Sequence, residues 1–188
     1  NAPFDNETLT AFGRVGKTFK KIRTSVGGNF NYSKNFQFLG GGVNENRIYN
    51  HSYTTSVGTN FTKAPNVNMR YRISFTDQIS SNRDTFNTVT HVPSFDFDAY
   101  LWNSLTLKSD FSFNEVRQDE KVTNSFTIWN MSLAYRKNSD AKWEYELIGS
   151  NLLGTTSRTS VSVNNISRSV SETFILPRFV SIRVRYQL

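Results

Sequence analysis

The sequence predicts an all-β chain, an antiparallel sheet of about nine strands forming part of a transmembrane β-barrel, and three observations predict it. The final stretch, 174–188, alternates Val180, Ile182, Val184, Tyr186 and Leu188 with Ser181, Arg183, Arg185 and Gln187. Successive strand side chains point to opposite faces, so one face there is hydrocarbon and the other is polar with two arginines. The same period of two recurs along most of the chain. Finally, no apolar run approaches the roughly 18 residues of a membrane helix. The mean hydropathy of −0.50 is the value that strands with one wet face average to.

The elements follow in order. Residues 1–7 read as loop, and a weak alternation from Thr8 (Leu9, Ala11, Gly13 and Val15 on one side) gives a first strand. The second sets Ile22, Val26, Phe30, Tyr32 and Phe36 against Arg23, Ser25, Asn29, Asn31 and Ser33. Gly40-Gly41-Gly42 and Asn44-Glu45-Asn46 read as a long loop, and Tyr53, Val57 and Phe61 carry the third strand. Lys63-Ala64-Pro65-Asn66 is a turn, because Pro and Asn favour turn geometry. Val67, Met69, Tyr71, Ile73 and Phe75 then alternate with Asn68, Arg70, Arg72 and Ser74. Residues 77–91 read as loop. Phe95, Phe97, Ala99 and Leu101 form the fifth strand, and Leu105, Leu107, Phe111 and Phe113 the sixth, across Trp102-Asn103-Ser104. A charged loop spans 116–124. Trp129, Met131, Leu133 and Tyr135 mark the seventh strand; Trp143, Tyr145 and Leu147, opposite Glu144 and Glu146, mark the eighth. A Ser/Thr/Asn-rich loop over 154–171 leads to the ninth strand.

Short turns near 18–21, 62–66, 102–104 and 137–141 thus alternate with long loops near 38–49, 77–91, 116–124 and 154–171. Outer-membrane barrels alternate short periplasmic turns with longer external loops. Aromatics gather at the strand ends. Trp102, Tyr135, Trp143 and Tyr186 form an expected lipid-facing belt near the short turns. Phe36, Tyr53, Phe75, Phe113, Trp129 and Phe174 lie nearer the long loops.

Composition narrows the chemistry. The 188 residues suit one domain, here 1–188, and the absence of cysteine removes disulfide, thiolate-metal and thiol-redox sites. Only His51 and His91 could supply imidazole, so neither a metal nor another cofactor is expected. A net charge of +7 permits anionic partners. Nucleic acid is not expected, because the aromatics occupy the face opposite the basic residues. No signal peptide opens the chain, which leads to the expectation of a processed form or internal fragment.

Arg70, Arg72, Arg136, Arg183 and Arg185, with Arg14, Arg23 and Lys108, fall on the expected lumen face. Such a basic wall would attract anions, but pairing with Asp96, Asp98, Asp110, Glu144 and Glu146 is the simpler expectation for a hydrated lumen. The carboxylate pairs read as partners of arginine rather than as glycosidase acids. Pairing His51 with a serine nucleophile carries little information in a serine-rich chain. No enzymatic activity is expected. Ligand-binding residues are unknown from sequence, with loops 38–49, 77–91 and 154–171 the places to look.

Asn151-Leu152-Leu153-Gly154 follows a Trp-Glu-Tyr-Glu strand and precedes Phe-Ile-Leu-Pro-Arg-Phe-Val-Ser-Ile-Arg-Val-Arg-Tyr-Gln-Leu. Together these resemble the carboxyl end of TonB-dependent receptor barrels and receptor-like outer-membrane barrels of the Bacteroidota type. The resemblance implies a Gram-negative outer membrane and the C-terminal strands of a barrel of roughly 22 strands. It also implies a plug domain, energy supplied through TonB, and nutrient import. Expected partners are the lipid bilayer, the remaining barrel and plug, and TonB or other outer-membrane complex subunits. The alternatives are a structural barrel subunit in a secretion or assembly complex, or a free-standing eight-stranded barrel that omits residues 1–17.

Overall fold

The computed structural model describes residues 5–39, 41–62, 65–81, 83–102, 104–163 and 168–187. The expectations for residues 1–4, Gly40, Lys63, Ala64, Asn82, Asn103, 164–167 and Leu188 lie outside them. Eleven strands are present: β1 (Glu7–Phe19), β2 (Ile22–Leu39), β3 (Gly42–Thr59), β4 (Asn66–Ser80), β5 (Arg83–Leu101), β6 (Leu105–Gln118), β7 (Lys121–Tyr135), β8 (Trp143–Ser150), β9 (Ser157–Val163), β10 (Arg168–Phe174) and β11 (Phe179–Tyr186). Nine form one antiparallel sheet in the order β1-β2-β3-β4-β5-β6-β7-β8-β11, while β9 and β10 form a separate hairpin. The large sheet is open, with β1 and β11 at its edges.

The alternation carries through the register. Val57 pairs with Met69 and Met69 with Phe95, while Leu133 pairs with Leu147 and Leu147 with Ile182. Partners in an antiparallel pair share a face, so apolar rows run unbroken across several strands. On the other face Thr54, Arg72 and Val92 align, as do Asn68, Asp96, Asp110 and Asn130.

Several expectations are corrected. β1 is paired with β2 along its whole length, from Glu7↔Lys34 to Phe19↔Ile22, so it is a full member of the sheet rather than a dispensable segment. The stretches 38–49, 77–91 and 116–124 are not long loops. β2 reaches Leu39 before β3 begins at Gly42, β4 reaches Ser80 before Arg83, and β6 reaches Gln118 before Lys121. Alternation is lost there because polar and apolar side chains mix on each face, as Glu45 and Arg47 do with Val43 and Tyr49, or Ile48 with Asn46 and Asn50, yet the backbone ladder continues regardless of side-chain type. At the β6–β7 tip, Asp119 and Glu120 both adopt positive φ (47° and 66°), the conformation of a two-residue hairpin turn, without the glycine that usually announces it. Pro93 hid the first half of β5. It pairs with Tyr71 on β4 but has no partner on β6, so the missing N–H falls in a gap of the ladder.

The 154–171 stretch contains β9 and most of β10, and the last strand runs from Phe179 rather than 174. Phe174 ends β10 opposite Ser157. Asn151 joins this excursion to the sheet. It is 4% exposed, with φ at 49°, a region that asparagine tolerates better than most residues. Its side chain accepts from Thr155 N at 2.9 Å and donates to Thr155 O and Leu176 O at 2.6 and 3.0 Å. Its own N–H donates to Asn130 Oδ1 at 2.9 Å, tying the bend to β7. Gly154 follows with φ at 73° and lies against Arg178.

Asn151→Ala should therefore destabilise the fold by about 1–3 kcal/mol, because buried partners lose their hydrogen bonds. Asn151→Gly, which relieves the positive φ, should lose less, by about 1 kcal/mol. Unfolding midpoints of the purified variants check the order.

Candidate functional site

The distribution of burial points to the polar face as the place to look. Only Ile48, Ala99 and Val116 are buried hydrophobics among the described residues, whereas Asn44, Asn46, Ser25, Thr88 and Asn151 are buried polar ones. Large apolar side chains such as Ile182 (75% exposed) and Val180 (64%) stand uncovered on the opposite face. Polar side chains satisfy one another across the strands: Thr76 Oγ1 donates to Asn50 Oδ1 at 2.8 Å and Gln78 Nε2 to Asn46 Oδ1 at 3.1 Å.

The charges separate into zones. At the β8–β11 edge, Arg183 Nη1 lies 3.1 Å from Glu146, and Arg185 reaches Glu144 at 2.6 Å and Glu146 at 3.1 Å. The pairing expected for these two arginines is present, and it follows from the register, in which Arg183 opposes Glu146 and Arg185 opposes Glu144. On the polar face of β4–β7, Asp96, Asp98 and Asp110 take amides instead of arginines, whereas Glu115 of β6 pairs with Arg117 at 2.6 Å. Asn68 donates to Asp96 at 2.8 Å, Asn130 to Asp110 at 2.8 Å and Asn66 to Asp98 at 3.4 Å. Arg70 and Arg72 lie on the polar face of β4, and neither has an ion-pair partner among the described residues. Arg136 differs from its expected place on the wall. It lies just beyond β7, where its Nε donates to Ala141 O at 3.0 Å and Nη2 to Gln187 Oε1 at 2.6 Å, closing the β7–β8 turn.

Tyr135, Trp143 and Tyr186 gather on the apolar face at the short-turn end: Tyr135 pairs with Tyr145, and the Trp143 and Tyr186 rings lie 4.8 Å apart. Trp102 is at a turn of the same end, 82% exposed and with φ at 50°. His51 lies on the apolar face, its ring stacked 4.7 Å from Phe75 and edge-on to Tyr53.

The β9–β10 hairpin leans over the polar face, where Asn124 Nδ2 donates to Thr159 O at 3.1 Å. Beneath it is a cavity of about 540 Å³ lined by Asn50, Thr76, Thr88, Thr90 and Asn114 from the sheet and by Arg158 and Thr159 from the hairpin, among others. Two of the stretches singled out from sequence, 77–91 and 154–171, thus meet at one hydroxyl- and amide-lined cavity. Sequence reasoning missed Asn50, Asn114 and the hairpin, whose pairing across β9 and β10 leaves little hydrophobic pattern. Comparison with protein-family models, curated proteins and solved structures finds no match to this chain.

The Arg185–Glu144 pair is solvent-accessible, with side chains 53% and 24% exposed. A double-mutant cycle on it should give a coupling below about 1 kcal/mol that shrinks in high salt.

Proposed function

We propose that this chain is a wall segment of a transmembrane β-barrel in a Gram-negative outer membrane, part of a transporter resembling the TonB-dependent receptors. Nutrient import is the function that this reading carries. The observation behind it is the inverted burial: a continuous apolar face without a covering layer, backed by a polar face that holds the buried amides and hydroxyls. In water such a face would cost about 25 cal/mol for each Å² left exposed, whereas hydrocarbon is its natural solvent.

Dimensions support the reading. The apolar positions of β4 run from Val67 to Phe75, nine residues, matching the roughly 9–11 residues of a tilted transmembrane strand. β2, β3 and β5 are 18, 18 and 19 residues long, so each extends well past such a band at the end away from the short turns. In this orientation the short turns are periplasmic and the strand extensions extracellular. Lysines lie over aromatic rings at both ends, Lys17 at 4.8 Å from Phe19, Lys142 at 5.8 Å from Tyr186 and Lys34 at 5.0 Å from Phe36. A cationic tip beside an aromatic body suits the membrane–water boundary. Since bilayers do not tolerate an open sheet edge, the reading requires further strands on β1 and β11. The partners are then the lipid, the rest of the barrel with its plug, and TonB. The hairpin over the polar face would narrow the path through the lumen.

Ile182→Arg, on the apolar face, should impair membrane assembly by about 2–4 kcal/mol, while Ser181→Arg, on the polar face, should be tolerated. Heat-modifiable gel mobility of the membrane-extracted protein reads both, and equal damage from the two would sink the face assignment. The intact mass under denaturing conditions tests the receptor part. A value several-fold above 21.6 kDa is expected, and a value near it removes the transport reading.

A further inference from the structure

The unpaired arginines of β4 belong to a larger arrangement. Arg14 pairs with Gly27, Gly27 with Thr54 and Thr54 with Arg72, so Arg14 and Arg72 stand at the two ends of one cross-strand row. The adjacent row runs Gly16, Ser25, Ser56, Arg70, and the next runs Thr18, Arg23, Gly58, Asn68. Four arginines therefore frame a floor rich in glycine, serine and threonine, with Asn68 ending the third row and Phe12 and Asn29 also lining the space. Strand spacing of about 4.8 Å puts the Cα atoms of Arg14 and Arg72 roughly 14 Å apart, and small residues between them leave the space above the floor open. Arg14, Arg70 and Arg72 together line a cavity of about 580 Å³ with Ser25, Ser52, Thr54 and Ser56 among its other walls, a volume in the usual range for small-molecule sites. Arg23 joins Arg14 and Ser25 in lining the neighbouring cavity.

The floor is organised. Arg14 Nη2 donates to Ser25 Oγ at 2.9 Å, Ser25 and Ser56 hydroxyls are 2.8 Å apart, and Arg72 Nε donates to Thr54 Oγ1 at 3.4 Å. No carboxylate among the described residues lies within 4.0 Å of any of the four guanidinium groups. The nearest acid in these rows, Asp96, is taken by Asn68. This contrasts with Arg183 and Arg185 on the same face, which are neutralised by glutamates. Like charges brought together without counter-charge repel, and the arrangement gains energy when an anion enters it.

We infer that this frame is a binding site for a soluble small molecule bearing two or more phosphate or carboxylate groups. Guanidinium forks take such groups two hydrogen bonds at a time, and the serine and threonine hydroxyls of the floor add further donors. The site depends on the polar face of β1–β4 and not on a bilayer at the opposite face, so its failure and that of the membrane reading are separable.

The test is titration calorimetry of the full-length polypeptide in neutral detergent, with inorganic pyrophosphate as the probe. Saturable binding that weakens with added salt is expected. Arg14→Gln and Arg72→Gln should each lower affinity about tenfold or more, and Arg72→Lys, which keeps the charge but loses the fork, should fall between. Arg183→Gln, which removes an ion-paired cation from the same face, should change nothing. Unfolding midpoints identify any glutamine variant that fails to fold, in which case the lysine variant of that position decides. Absence of saturable pyrophosphate binding overturns the inference, as does an equal loss from Arg183→Gln. Binding that requires phosphatidic acid in the micelle would make the ligand a lipid headgroup and overturn the soluble class.

Discussion

The structure rests on its backbone ladder. A single-layered sheet has no second layer to pack against, and among the described residues the strands of the nine-stranded sheet contact one another only as hydrogen-bonded neighbours. Among the same residues β9 also contacts β7, where the hairpin meets the sheet. Side chains then contribute through cross-strand pairs rather than through a buried core. Register becomes the master variable, since a slip by one residue would exchange the faces of an entire strand. It also decides the electrostatics: Arg185 meets Glu144 because Tyr186 meets Trp143 one position on.

The two faces consequently have different tasks. On the apolar face the rows of Leu, Val, Ile and aromatic residues ask only for a solvent that accepts hydrocarbon. The polar face carries the individuality of the chain, and its charges are handled in three ways. Glutamates neutralise arginines at one edge, asparagines satisfy aspartates over the centre, and Arg14 and Arg72 of β1 and β4 meet hydroxyls and no carboxylate among the described residues. The first two arrangements are self-sufficient. The third leaves guanidinium charge without a counter-charge among the described residues.

Asn151 shows how a local motif acquires a structural task. The asparagine of the Asn151-Leu152-Leu153-Gly154 run holds the point where the chain leaves the sheet for the β9–β10 hairpin and returns to β11. A left-handed backbone with both side-chain amide atoms engaged is a demanding specification, and asparagine meets it in one residue. Nothing in the spacing of the motif reveals that its partners are Thr155 and Leu176.

The sequence by itself determined which residues share a face, because alternation is a property of each strand alone. It was sufficient to assign Trp143, Tyr145 and Leu147 to one side and Glu144 and Glu146 to the other, and to locate the short turns near 18–21 and 137–141. It under-measured the strands wherever polar and apolar side chains mix on each face, as at 38–49 and 116–124, since hydrophobic period reports burial and not hydrogen bonding. It also merged 174–178 into the last strand, where the register shows Phe174 pairing within the hairpin instead. Only the tertiary structure decided which arginines have partners. Arg14 and Arg72 are separated by 58 positions in the chain and stand at the two ends of one row because three successive hairpins bring β1 to β4 into register, a non-local outcome that no spacing along the chain encodes.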